Sequence, residues 1–349
     1  MILNQTPIRT VKNYKINNIE IDGLELPKNV QEFDRLSISG DVQNFEISNT
    51  AKKEPLAYGN GKELENWGYA NANKNIKIKS YNKGNLNINF NFDEDNLNLV
   101  DNIEIYATSK SDTTIVIKYN SIEDIQCFHN GIVKVNAEKF AKINLIIVNL
   151  LNNQTKNFLS IQNELQENSE VTYTMIDLGG KTNITNWYSN VKGENSKACI
   201  NAVYLGTGEQ IFDLNYISEL YGEKTKTNIE VQGALNDEAK KNFKGTIDFK
   251  KGCKKAIGDE NEFCMLLSEK AKSKALPILL CTEEDIEGNH STACGKVDNQ
   301  ELFYIMSRGL SYNDAMKLIV KAKFNKIIET IKDENLIEEI TIEIEKKLS

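Results

Sequence analysis

The residues able to do chemistry in this 349-residue chain are few. There are six cysteines, Cys127, Cys199, Cys253, Cys264, Cys281 and Cys294, and two histidines, His129 and His290. No two cysteines form a C-x-x-C pair, and two imidazoles cannot build a His-rich metal cage. Acid–base work at neutral pH therefore rests on His129 and His290. Cys127 and His129 form a C-x-H pair on one strand face; two ligands do not close a metal site, so both read as β-core residues. Glu283, Glu284 and Asp285 invite a glycosidase reading, in which the paired carboxylates of retaining enzymes stand roughly 5 Å apart. Neighbours on a strand point to opposite faces, so the acidic run reads as a solvated edge instead. There is no G-x-x-x-x-G-K-[ST] loop, so any ATP chemistry must come from a partner.

These groups need a scaffold, and the sequence sketches one. Period-two apolar runs recur through the middle of the chain: Ile76-Lys-Ile78, Leu86-Asn-Ile88-Asn-Phe90, Ile103-Glu-Ile105, Ile115-Val-Ile117, Ile143-Asn-Leu145 and Val171-Thr-Tyr173 among them. Such alternation marks strands with a buried face. A sandwich would advertise tight hairpin turns, and only Asn130-Gly131 qualifies. A parallel β-helix needs no hairpins. On pattern alone both architectures stay open, and the abundant asparagine reads more simply as compositional bias. The first 72 residues, punctuated by Pro7, Pro27 and Pro55, read as an irregular, partly helical arm. Residues 73–297 form the β region. Residues 298–349 are helical: Asp298 with Glu301 suggests a capping box, Gly309 a C′ glycine and Ser311 a second N-cap. Ala315, Leu318, Ile319 and Ala322, then Leu336, Ile340 and Ile344, follow at helical spacing.

Composition excludes several functions. The net charge is −8, with basic residues interspersed among acidic ones, which argues against a nucleic-acid surface. No stretch reaches the roughly 20 apolar residues of a membrane span, and the start of the chain carries no signal pattern. A cytoplasmic location is expected, with the cysteines as free thiols.

The stretch Leu276-Pro277 through His290, then Gly295, Asp298 and Leu302-Phe303-Tyr304 with Ser307-Arg308-Gly309, resembles the most recognisable block of the SufB/SufD family of iron–sulfur cluster assembly proteins. Weaker echoes lie upstream at Asp213-Leu-Asn-Tyr216, Lys244-Gly245, Leu266-Leu267 and Glu65-Asn-Trp67-Gly-Tyr69. The resemblance implies an all-β core in the form of a right-handed parallel β-helix with an N-terminal arm and a C-terminal helical cap. It also implies partners: a related β-helical paralogue and an ABC-type ATPase docked on the C-terminal helices. A nascent iron–sulfur cluster, transient and shared with the partner subunit, would form at the interface. Self-pairing into a homodimer is left open.

On this resemblance His290 is the central histidine of the subunit interface and a candidate iron ligand, since unprotonated imidazole binds iron well. Cys264 lies where the scaffold-type member carries its essential cysteine, but one residue closer to the Leu-Leu pair. On a strand that offset turns the side chain to the opposite face, so a buried structural thiol is the preferred reading. Glu287 is a lesser candidate at the same interface. The family's cysteine two residues before the histidine is missing, and Cys294 occupies a small apolar position. Phe303, Tyr304, Ser307, Arg308 and Gly309 would pack the helical cap or dock the ATPase. A D-type subunit is the favoured assignment, with a B-type scaffold that ligates the cluster through Cys264 and His290 as the alternative. A β-helical polysaccharide lyase or hydrolase is the remote one.

Overall fold

The computed structural model describes residues 1–10, 14–122 and 125–349. From Lys74 to Lys296 the chain winds as a two-sheet solenoid of about eight coils. Lys83–Phe92, Asp112–Ser121, Lys142–Leu150, Glu170–Asp177, Lys197–Gly206, Lys226–Leu235, Ala256–Leu266 and Ile286–Lys296 stack in parallel as sheet I. The intervening strands, from Lys74–Ser80 to Lys272–Cys281, stack in the same way as sheet II. The parallel β-helix is thus the architecture, and the sandwich is excluded.

Alternation explains the fold. Inward positions such as Ile115, Ile117, Leu145, Ile147, Val171 and Tyr173 fill one continuous core between the sheets. At one corner of the coil, Lys110, Phe140, Asn168, Asn195, Lys224 and Lys255 all take positive φ, between 55° and 67°. The left-handed region costs an L residue roughly 1–2 kcal/mol. Here each strained N–H donates to a carbonyl of the next coil, as from Asn168 to Glu194 (2.9 Å) and from Asn195 to Glu223 (3.0 Å). The turns therefore stack as the strands do.

Asparagine also does more than composition suggests. Inside the solenoid, Asn149 donates to Asp177 (2.6 Å) and Asn183 (3.0 Å), and Asn157 donates to Asn183 (3.1 Å). His129 joins this chain: its ring nitrogens lie 2.6 Å from Asn157 Oδ1 and 2.7 Å from Asp101 Oδ1. His129 is fully buried and Cys127 nearly so, which places both in the core.

Both outer faces are covered. The N-terminal arm and helix α1 (Lys62–Asn71) lie on sheet II, with Leu3 and Leu64 against Phe128, Phe158 and Ile184. The arm is mostly irregular, with a few short strands, and α1 is its helical part. Its strands Leu36–Gly40 and Phe45–Ser48 pair antiparallel with the first strand of each sheet. Phe33 closes that end of the core against Phe90 and Phe92. Helices α2 (Asn299–Ser307), α3 (Tyr312–Ile328) and α4 (Glu334–Lys347) lie along sheet I, burying Ile319, Phe324 and Ile340 against Ile146, Val203 and Leu205. Asp298 and Ser311 cap α2 and α3 through Gln300 and Asp314 N–H, and Gly309 (φ +100°) follows α2. Glu301 does not complete the expected reciprocal box: the cap bond runs from Gln300 N–H to the Asp298 carboxylate. The helices cover a face of the solenoid and leave its last coil uncovered.

Candidate functional site at the last coil

The exposed end of the solenoid consists of Lys272–Cys281 in sheet II and Ile286–Lys296 in sheet I. None of the 11 residues of Ile286–Lys296 is buried. Its inward positions are His290, Thr292 and Cys294, which stand in register with Glu260, Glu262 and Cys264 of the preceding coil. The ladder thus places an exposed imidazole and an exposed thiol over three buried polar groups.

Glu260 is fully buried and neither carboxylate oxygen has a hydrogen-bond partner. Gly245 across the core makes its space, since a Cβ there would come within 2.1 Å of Glu260 Oε1. Burial, with the nearby Glu262 adding to it, raises the Glu260 carboxyl to a pKa of about 8. Glu262, by contrast, is partnered. It accepts from Lys241 Nζ (2.7 Å) and Tyr204 Oη (3.0 Å), and the Lys241–Glu262 pair is wholly enclosed. Tyr204 fits because Gly233 has no side chain: a Cβ there would lie 1.8 Å from the ring's Cζ.

Cys264 is buried and Cys294 exposed, and both are free thiols. The neighbouring thiols act on each other: the interaction holds the Cys294 thiol down at about 6 and, with burial, pushes Cys264 up. Ser273 also supports Cys294. Cys294 is therefore a solvent-facing thiol rather than a packing residue.

The other sequence-chosen residues separate into two groups. His290 and Glu287 are both exposed on the last strand, His290 on the inward face with Cys294 and Glu287 on the opposite face. Cys264 sits one coil beneath, shielded from solvent. Glu283, Glu284 and Asp285 lie in the bend between the last two strands rather than on a strand, and Glu283 accepts from Gly252 N–H (2.9 Å). Phe303, Tyr304 and Ser307 lie on α2, at the outer flank, and Arg308 is its C-cap. Phe303 is 75% and Tyr304 58% exposed, so neither fills the core. Arg308 braces Tyr304 by a hydrogen bond (3.0 Å) and a cation–π contact.

Among the described residues no group of three His, Cys, Asp or Glu side chains is arranged to hold a metal ion. His290 and Cys294 occupy inward positions left open to solvent at the end of the solenoid, and the buried carboxyl of Glu260 holds its proton at neutral pH. Sequence reading had no route to Glu260, Glu262, Lys241 or Tyr204, which come from three separate strands. The one local signal was the period-two spacing of Glu260, Glu262 and Cys264.

A family model for the SUF system FeS cluster assembly SufBD core domain matches residues 90–323, which take in most of the coils, α2 and most of α3. The chain belongs to the SufBD core family. Its core is similar to the SufD iron–sulfur cluster assembly protein of Bacillus subtilis, at 24% identity over 72% of this chain and 58% of that protein. SufD of Escherichia coli matches at 22% over 68% of the chain and 56% of its own length. A SufBD family protein of Pyrococcus horikoshii is 34% identical over 49% of the chain and 38% of its length. The chain thus spans about half the length of the curated relatives it matches. No described helix of this SufBD core chain is long and apolar enough to cross a membrane.

Proposed function

We propose that the chain is a D-type subunit of an iron–sulfur cluster assembly complex, which pairs with a related β-helical subunit through its last coil and docks an ABC-type ATPase on its C-terminal helices. The observation that carries the reading is the asymmetry of the solenoid. One end is closed by Phe33 and antiparallel strands, whereas the other presents a strand with no buried residue and the imidazole of His290. A free parallel edge is a template for another strand, and soluble proteins cover or blunt such edges. In this reading the partner's last coil covers it, and His290 contributes a ligand to a cluster completed by partner side chains. The cluster is cargo, built there and passed on.

The exposed aromatic face of α2 supports the docking half of the proposal. Phe303 and Tyr304 are large apolar groups in water, and Arg308 is held beside them. Aromatic residues and arginine are the groups most enriched at the centres of protein interfaces.

A B-type role is a second reading, because Cys294 shares the coil with His290 and Cys264 lies one coil beneath. In it, Cys294 or Cys264 supplies thiolate to the cluster. Losing cluster assembly in Cys264→Ser or Cys294→Ser with pairing intact would favour that role. Anaerobic purification of the tagged chain from its native cytosol tests the lead proposal. Recovery of an ABC-type ATPase with a β-helical paralogue is the expected result; the intact chain emerging with neither would overturn it.

A further inference from the structure

We propose that Cys264 and Cys294 form a reversible disulfide, in which exposed Cys294 meets the oxidant and buried Cys264 resolves it. The placement comes from the fold itself. The two are register partners on neighbouring parallel strands, both at inward positions. Adjacent strands run roughly 4.8 Å apart, and disulfides bridge Cα atoms roughly 4.4–6.8 Å apart. The ladder spacing therefore falls within the Cα range that a disulfide spans.

The surroundings favour a pair over two independent thiols. On its other side Cys264 faces Gly233 in the ladder, and Tyr204 fills the space that a side chain at Gly233 would occupy. Cys264 is closed off beneath and open only toward Cys294. Cys294 lies on the outermost strand, where a small oxidant reaches it. Cys281 is also exposed, but its ladder partner is Phe249, and its thiol donates to the Glu283 carbonyl (2.8 Å).

The chemistry balances with hydrogen peroxide as oxidant. The Cys294 thiolate attacks a peroxide oxygen; an S–O bond forms, the O–O bond breaks, and after proton uptake one water leaves with Cys294 as sulfenic acid. Cys264 sulfur then attacks Cys294 sulfur, forming the S–S bond and breaking S–O. The Cys264 proton leaves with the hydroxyl as a second water. Two thiols lose two electrons and the peroxide gains them. A dithiol reductant reverses the linkage by exchange through a mixed disulfide. This inference stands independently of the role in cluster assembly.

The test uses the full chain, reduced and desalted without oxygen, then given stoichiometric hydrogen peroxide. Peptide mapping without reductant is expected to join the Cys264 and Cys294 peptides with loss of two hydrogens, and dithiothreitol should separate them. In Cys264→Ser, dimedone should capture sulfenic acid at Cys294. In Cys294→Ser, which alters an exposed side chain, the link and most dimedone labelling of Cys264 should vanish. If Cys264→Ser does not fold, the wild-type and Cys294→Ser maps decide alone. Linkage of another pair in place of this one, or passage of wild-type Cys294 to sulfinic acid with no linked peptide, would overturn the proposal.

Discussion

His290 stands directly across the parallel ladder from Glu260, an exposed imidazole over a buried carboxyl that has no hydrogen-bond partner. Because the two groups sit on consecutive coils at the same inward position, the last coil is the boundary between solvent and a polar core. Whatever covers His290 also decides how Glu260 is solvated.

Glu260 should make stability fall with rising pH. Its folded pKa of about 8 lies above the ordinary 4.5, so the native state holds a proton that the unfolded chain releases. The contribution is fully present below about 4.5 and is lost as pH rises to about 8. Glu260→Gln removes the titration. Its Tm should exceed that of the wild type at pH 8 by an amount worth a few kcal/mol, and the two should converge near pH 4.5. Thermal unfolding across this range checks it; parallel curves would show that Glu260 ionises freely.

Lys241 and Glu262 should behave as an enclosed ion pair. Lys241→Met leaves a buried carboxylate with only Tyr204, a change that costs about 3–5 kcal/mol when one partner of such a pair is removed. Adding Glu262→Gln to Lys241→Met should restore much of the loss, since a neutral amide remains within reach of Tyr204. Urea unfolding of the two single variants and the double variant measures the coupling. Additive losses would contradict it.

The exposed edge can be tested without disturbing the core. Ala293 is exposed on the last strand, so Ala293→Lys should leave the stability within about 0.5 kcal/mol of the wild type, as surface changes do. An edge lysine opposes strand addition, and pairing with the recovered β-helical partner should weaken at least tenfold. Sedimentation of the mixed subunits gives the answer, and unchanged pairing would place the interface elsewhere.

On α2, Phe303→Ala with Arg308→Glu should abolish ATPase recruitment while leaving the fold and the β-helical pairing unchanged, because both side chains are turned outward. Co-purification of the ATPase with the double variant reads this directly. Retained recruitment would assign the docking surface to other residues.

Much of the solenoid was legible because its inward residues are apolar where the sequence alternates, as at Ile115, Ile117 and Ile143. The strand Thr182–Val191 was not. Its inward Asn183, Thr185 and Ser189 are polar, its outward Ile184 and Tyr188 are buried under the arm, and the period-two signal cancels. Asn149, Asn157 and Asn183 read as bias because their partners lie a coil away, at 26 to 34 residues. The C-terminal helices were found from their apolar spacing, yet spacing cannot say which surface they meet. Ile146, Val203 and Leu205 on the outer face of sheet I attract them there. At the site, His290 was found by resemblance to a family block. Glu260 and Glu262 sit in Gly258-Asp-Glu-Asn-Glu262, which reads as a solvated stretch until stacking turns every second residue inward.

The central claim is that the last coil takes part in building an iron–sulfur cluster with a partner. It is tested most directly by anaerobic reconstitution of the complex isolated through this chain, with iron and acid-labile sulfide quantified for the wild type and for His290→Ala. The account expects the wild-type complex to take up both. The His290→Ala complex, with the same subunits and unchanged Tm, should lose most of each. Uptake by neither complex, or full uptake by His290→Ala, would contradict it.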